Sequence, residues 1–473
     1  MTTATTFELE RRLFVFAAPG AIAAAAIVLL VLAAAWAGKT SVAETVRAQE
    51  AFQAEQNASL SEWRDALETI ERDGEASSPY NARPMNISMP AILPPAPLAD
   101  FASGAADLHP TTTTISGWSN PVNLFIEYEF DNPTPLSLGG LDLTFLAVVL
   151  MPLIMIAASF DVLAGDRDLG RARLVALQAG HVRSSVWERL AIRNGVVWAA
   201  FSTAALVVAI IPTPNADIGA RLAHFLAWMF VALIYGGFWF GCIALASVVL
   251  KKGETVAAAL FAAWAAFVFA APAVGGAFAE AFYPPPSRLA FLSEMRKGEV
   301  AAVRETAELT AGFLADHPEM TVSDEAVPGY YANSFLANRE AEKRTTPVLE
   351  GFEASREQRA QLVSILQFLS PAMIADRALT SIAGGDVARA MNYQRQARAA
   401  LFDLRDKIGP AVVAKQRISL AEFDAIERFG FEDRTLTDLL RSSAAPLIYL
   451  ALVAGGLITY ARKRLAAPLE QLL

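Results

Sequence analysis

The stretch LDLTFLAVVLMPLIMIAASFDVLA, Leu141 to Ala164, holds eighteen successive residues without a charge between Asp142 and Asp161. At 1.5 Å rise per residue such a run covers ~27 Å as a helix, close to the ~30 Å hydrocarbon core of a bilayer. It reads as a membrane-spanning helix. Five more runs of the same kind lie around it: Leu13 to Trp36 before it, and Asn194 to Ile211, Leu222 to Leu250, Val256 to about Ala279 and Ala444 to Tyr460 after it. The first is longer than the apolar region of a signal peptide and runs straight into polar helical sequence, so it reads as a retained span.

Composition agrees. Hydrophobic residues make up 54% of the 473-residue chain and charged ones only 18%, where soluble domains carry about a quarter; mean hydropathy is +0.36. The single cysteine, Cys242, falls within a span, so neither an intrachain disulfide nor a thiol metal cluster can form. A net charge of -9 with no basic stripe outside the membrane flanks argues against nucleic acid as a partner.

Orientation follows from short loops, in which Lys and Arg favour the cytoplasm. Arg11 and Arg12 precede span one; Arg167, Arg171, Arg173, Arg183, Arg189 and Arg193 lie between spans two and three; Lys251 and Lys252 separate spans four and five; Arg462, Lys463 and Arg464 follow span six. Both termini are expected in the cytoplasm of a bacterial inner membrane. The fold expected is an all-α integral membrane protein of six transmembrane helices with a mixed and a helical extracytoplasmic domain. Its parts are residues 1–37 (N-terminus and span one), 38–140 (first extracytoplasmic domain), 141–283 (spans two to five, with a cytoplasmic loop at 165–193), 284–441 (second extracytoplasmic domain) and 442–473 (span six and C-terminus).

The first long connection opens with a helical pattern over Val42 to Glu71, in which Val46, Phe52, Leu60, Trp63, Leu67 and Ile70 recur among acids. From Ser77 to Pro97 proline and asparagine break the periodicity, Thr111 to Thr114 reads as loop or short strand, and Leu124 to Phe130 as a strand. The second long connection follows three prolines and is helical in pattern over Glu299 to Ala315, Ser355 to Leu369 and Val387 to Ile408.

No Gly-rich phosphate loop ending in Gly-Lys-Ser or Gly-Lys-Thr occurs, so the chain has no such cradle for ATP. Neither His-Glu-x-x-His nor Gly-x-Ser-x-Gly is present, which leaves hydrolase chemistry without a motif. The informative loop follows span two: Gly165-Asp166-Arg167-Asp168-Leu169-Gly170-Arg171-Ala172-Arg173-Leu174-Val175-Ala176-Leu177. It resembles the loop of ABC-2 type permeases, in which an acidic-Arg-acidic triplet, one variable residue and a glycine precede an amphipathic helix. Asp166, Arg167, Asp168 and Gly170 carry the match; Arg171 stands where that family usually has threonine.

The resemblance implies that this loop couples to an ATPase subunit. Leu174 and Leu177 would dock in a groove of the partner, while Arg171, Arg173 and the hydrated acids fix register. A plain basic topology loop is the alternative. Leu369-Ser370-Pro371-Ala372 and Ala383-Gly384-Gly385-Asp386, followed by a helix with Tyr393 and Gln394, resemble an ABC-2 subgroup with two large extracytoplasmic insertions. What the resemblance implies is a non-catalytic permease subunit of an ABC transporter, exporting or extruding an amphipathic substrate. It would carry no cofactor itself; ATP and Mg would bind two copies of a partner ATPase, and a second permease, homologous or identical, would complete the assembly in membrane lipid. The competing reading is ATPase-driven mechanotransmission or signalling through the outer domains. An ion-driven secondary transporter would show mid-membrane acids and an inverted repeat, and neither is visible.

Three further features stay open on sequence. Asp161 is either a functional intramembrane acid or an interfacial cap, His224 a relay or a hydrated residue at a span end, and Pro272 with Gly275 and Gly276 a helix break or a kink.

Overall fold

The computed structural model describes residues 14, 18–73, 83–102, 109–121, 124–125, 141–170, 182–214, 217–284, 291, 293–298, 300–301, 304–305 and 329–465. It is an almost wholly helical membrane protein. Six of its helices are long and apolar enough to cross a bilayer: α1 (Ala18–Asp73), α2 (Leu143–Asp168), α3 (Val182–Ile210), α4 (Ile218–Val249), α5 (Gly253–Phe282) and α10 (Leu436–Arg464). The strands β1 (Ser88–Ile92) and β2 (Thr112–Ser116) form one antiparallel pair, Ser88 opposite Ser116 and Ile92 opposite Thr112. The second connection supplies α6 (Gly329–Leu366), α7 (Pro371–Ala383), α8 (Val387–Val413) and α9 (Leu420–Asp424). The expected helix over Glu299 to Ala315, most of the strand at Leu124 to Phe130, and Arg11 and Arg12 lie outside the described residues.

The long connections lie on one side of the membrane layer, the head side. Span one and the polar helical sequence it runs into form a single helix, α1, of 56 residues, ~84 Å long at the usual rise. Gly38 within it allows a close approach of the head: a Cβ there would stand 2.2 Å from the carbonyl oxygen of Asp100.

The two outer domains expected from sequence are one. Leu60, Trp63 and Leu67 of α1, Met85, Ile87 and Met89 around β1, Tyr331 and Phe335 of α6, Tyr393, Leu401 and Ile408 of α8, and Phe423 of α9 share a single hydrophobic core. Each connection offers only a narrow apolar stripe, and burial is favourable at roughly 25 cal/mol per Å², so the stripes close on each other. Trp63 stacks on Phe423 with centroids 6.3 Å apart. Tyr393 donates to the Ala91 carbonyl over 2.8 Å; burial pushes its hydroxyl above the ordinary tyrosine range, which keeps the proton on the donor. Arg405, buried at the back of this core, donates to Glu342 and to the Ser119 carbonyl.

The membrane core is aromatic, with Phe201, Trp228, Tyr235 and Trp239 buried in it. Gly236 lets α4 meet α3, since a Cβ would fall 2.1 Å from the Trp198 ring. Span five is continuous. Where a break or a kink was open, the structure has a π-helical turn at Ala266–Ala270 and then Pro272, and a π turn re-aims a helix without ending it.

A reversal of the chain among the spans lies elsewhere. After α6 a 3-10 turn at Gln367–Leu369 reverses the chain. Phe368 meets the Tyr449 ring, midway along α10, at 5.3 Å, and Ser370 Oγ donates to Phe267 O in the π turn of α5 over 2.5 Å. Both contacts place this tip beside the middles of α5 and α10. From there α7 climbs back to the head. Ser370 caps its N-terminus and Pro371 opens it, and Gly384, at φ 86°, closes it in the left-handed conformation. Asp386 then caps α8 by accepting from the Arg389 N–H. The two short motifs of this region are therefore the stop and start signals of α7 and α8.

Candidate functional site

At the end of the membrane layer away from the head, the tail of α2 meets α3, α4 and α5. Asn194 donates to Ser159 Oγ over 2.9 Å. Arg193 bonds Asp161 Oδ1 at 2.8 Å and the Ala158 carbonyl at 3.0 Å, so Asp161 acts as an interfacial cap paired to α3. Asp166 is buried, 8% exposed, and receives Arg189 of α3 over 2.5 Å.

Arg167 lies across the C-terminus of α4 and donates to the carbonyls of Ser247 at 3.1 Å and Leu250 at 2.9 Å. Asp168 accepts the N–H of Gly253, the first residue of α5, at 3.2 Å. The alternation of signs has a physical cause. The last carbonyls of a helix and its first N–H groups are unsatisfied and carry opposite partial charge. The corner joining α4 to α5 is short, so one cation and one anion adjacent in sequence can satisfy both ends.

The triplet is thus a clamp on four spans; the expectation of hydrated charges waiting for a partner is corrected for Asp166, which is buried, whereas Asp168 is exposed while it holds the Gly253 N–H. Asp166, Arg167 and Asp168 are brought together by this clamp. Gly170 follows in the open, at φ 68° with nothing within 4 Å of a would-be Cβ, which suits a sharp exit from α2. Arg171, Arg173, Leu174 and Leu177 lie outside the described residues.

A second polar centre, on the head side, went unread in the sequence. Arg221 of α4 and Asp100 of the first connection are both fully buried. The guanidinium bonds both carboxylate oxygens, at 2.8 and 2.7 Å, and donates to the carbonyls of Ala209, Pro97 and Val208. Lys39 of α1 lies 3.3 Å from the same carboxylate. Beside it, Arg389 of α8 pairs with Asp433 and donates to Pro94 O, while Arg434 pairs with Asp386. Head and membrane layer are therefore joined by α1, by Arg221 with Asp100, and by the α7–α8 corner. The one available signal was Arg221 directly before an apolar run, which reads equally well as a loop residue. His224, left open above, sits by this junction with Nδ1 2.8 Å from its own helix carbonyl at Ala220. Among the described residues no group of three or more His, Cys, Asp or Glu is placed to hold a metal ion.

Residues 288–432 match a family model described as Domain of unknown function (DUF3526). The match takes in α6 to α9 and so includes α7. No curated protein matches the chain.

Proposed function

We propose that this chain is the permease subunit of an ABC-2 type transporter that exports or extrudes an amphipathic substrate, driven by ATP and Mg bound to two copies of a separate ATPase. In this reading it sits in a bacterial inner membrane with both termini in the cytoplasm and the head outside, and it pairs with a second permease. The observation that supports it most is the clamp at residues 161–168. Any partner that moves the segment just after Gly170 would pull on α2, α3, α4 and α5 together, as ATP-driven transport requires.

Co-purification tests the reading. Arg171→Glu with Arg173→Glu, or Leu174→Ala with Leu177→Ala, should weaken retention of the ATPase tenfold or more, because charge pairs and apolar anchors buried at an interface dominate its affinity. The thermal stability of the permease should stay unchanged. Wild-type retention by both pairs removes the coupling assignment.

Orientation has its own test in a Cys242→Ala background. Cysteines at Ser61 and Glu357, both exposed on the head, should react with an impermeant thiol reagent in intact cells, and one at Lys251 should not. Labelling at Lys251 reverses the topology.

One observation favours a second reading, ATPase-driven mechanotransmission through the head. The 56-residue α1 crosses the membrane and enters the head core without a break, so a shift of span one is carried into the head. Vesicles holding the complex separate the two readings, since only a transporter moves labelled lipid or peptide when ATP is added.

A further inference from the structure

Between α1 and the α7–α8 corner, where head and membrane layer join, lies a cavity of about 80 Å³. A water-sized group takes about 10 to 15 Å³ of such space, so the cavity holds about five to eight of them. That is enough for a phosphate with a few carbons and too little for an acyl chain. Val42, Leu93, Pro94, Pro95 and Ala96 give it apolar walls, to which the two prolines bring no backbone N–H. An apolar cavity with a few convergent polar groups is the usual form of a small-ligand site.

Three of its polar groups are donors without an acceptor. Arg389, its side chain 9% exposed, donates to Asp433 through Nε and to the Pro94 carbonyl through Nη2. Its Nη1 has no partner among the described residues. The hydroxyls of Ser41 and Thr111 line the same cavity and are likewise unpartnered among those residues, whereas Thr45 and Gln49 are held by the carbonyls of Ser41 and Leu93. No described carboxylate lines it. In the surrounding junction the cations Lys39, Arg221, Arg389 and Arg434 are paired with three acids, Asp100, Asp433 and Asp386, so one positive charge is left over. Donors and charge together fit an anion.

Depth narrows the choice of anion. Lys39 donates to the carbonyl of Ile211, the residue that follows α3, and so marks the head-side edge of the hydrocarbon. Ser41 and Val42 come ~3 to 5 Å further along α1, within a head-group layer about 5 to 8 Å thick.

We propose that this cavity binds the phosphate of an anionic phospholipid whose tails stay in the head-side half of the bilayer. Arg389 Nη1 is the charged donor, and the hydroxyls of Ser41 and Thr111 complete the set. The glycerol carbons of the lipid cover the apolar walls, which a free phosphate would leave bare. This deepens the reading of the chain as an exporter of amphipathic molecules by giving the substrate an anionic head, and rests on that reading only in calling the lipid a substrate.

The test uses the full chain purified in a maltoside detergent, titrated with phosphatidylglycerol and read as lipid bound per chain by native mass spectrometry. It needs no ATPase or ATP, so its failure is separate from failure of the transport reading, which the vesicle assay measures. One phosphatidylglycerol per chain should be retained, at least tenfold more tightly than diacylglycerol, which lacks the phosphate. Inorganic phosphate at the same concentration should not displace it. Arg389→Lys keeps a cation beside Asp433 but removes Nη1, and Ser41→Phe puts a ring into the cavity without touching Arg389. Each should weaken retention tenfold or more, as loss of a charge-assisted hydrogen bond or of the space itself requires. The melting temperature of the lipid-free chain, measured alongside, shows whether either change acts through folding; if Arg389→Lys lowers it, Ser41→Phe decides.

The proposal is overturned if Ser41→Phe retains phosphatidylglycerol as the parent does. It is equally overturned if diacylglycerol is held as tightly, which would make the apolar walls sufficient, or if inorganic phosphate displaces the lipid at equal concentration, which would make the site one for a free anion.

Discussion

Arg221→Met lowers the stability of the folded chain by about 3 to 5 kcal/mol, the cost of stranding one member of a buried ion pair. Methionine keeps the unbranched stem of the side chain as far as the Nε position, so the loss is mainly that of the charged, hydrogen-bonding head. It leaves the Asp100 carboxylate, itself fully buried, with Lys39 at 3.3 Å as its remaining cation. It also strips donors from the carbonyls of Ala209, Pro97 and Val208. Asp100→Asn should cost less, because those three carbonyls still hold the guanidinium and the amide oxygen still accepts. Thermal unfolding in detergent, with proteolysis of the head as a second readout, measures both. A protein with Arg221→Met within about 1 kcal/mol of the parent would show that the pair does not fasten head to membrane layer.

Reversing Asp166, Arg167 and Asp168 together should unfold the tail side of the membrane layer, with a loss above about 3 kcal/mol from the Asp166 pair alone. A cation at position 166 would face Arg189 at the distance now spanned by a 2.5 Å bond. An acid at 167 would face the carbonyls of Ser247 and Leu250, and a cation at 168 would face the Gly253 N–H. Each of the last two opposes a helix end, which adds about 0.3 to 1 kcal/mol apiece. The expected result is a fall in melting temperature and in the amount of protein recovered from membranes. As hydrated surface charges the same three residues would change stability by no more than about 0.5 kcal/mol. A reversed triplet of parental stability would therefore return them to the role of exposed docking charges. It follows that coupling to an ATPase is tested at Arg171, Arg173, Leu174 and Leu177, not at the triplet.

Read as a chain, the protein shows its six spans because insertion into a bilayer is a local property: eighteen uncharged residues suffice wherever they stand. Its helix punctuation is equally local. Ser370-Pro371, Gly384 and Asp386 each act through the backbone of the next few residues, so the ends of α7 and the start of α8 are written where they occur. That span one runs straight on into polar helical sequence was legible in the same local way. A fall in hydropathy after Trp36 marks the membrane surface but does not stop a helix, and nothing between Gly38 and Ser41 breaks the hydrogen-bond ladder of α1.

Tertiary structure alone decided which segments share a core and which charges share a pair. Two connections far apart in sequence close on one apolar core because neither stripe can be buried by itself. Asp100 and Arg221, 121 residues apart, and Asp166 and Arg189 look like ordinary loop charges until their surroundings are known. A residue's type sets whether it can carry charge. Whether that charge is hydrated, buried against an opposite one, or spent on a helix end depends on where the rest of the chain has packed, since the energy of an ion pair is set by distance and by the exclusion of water.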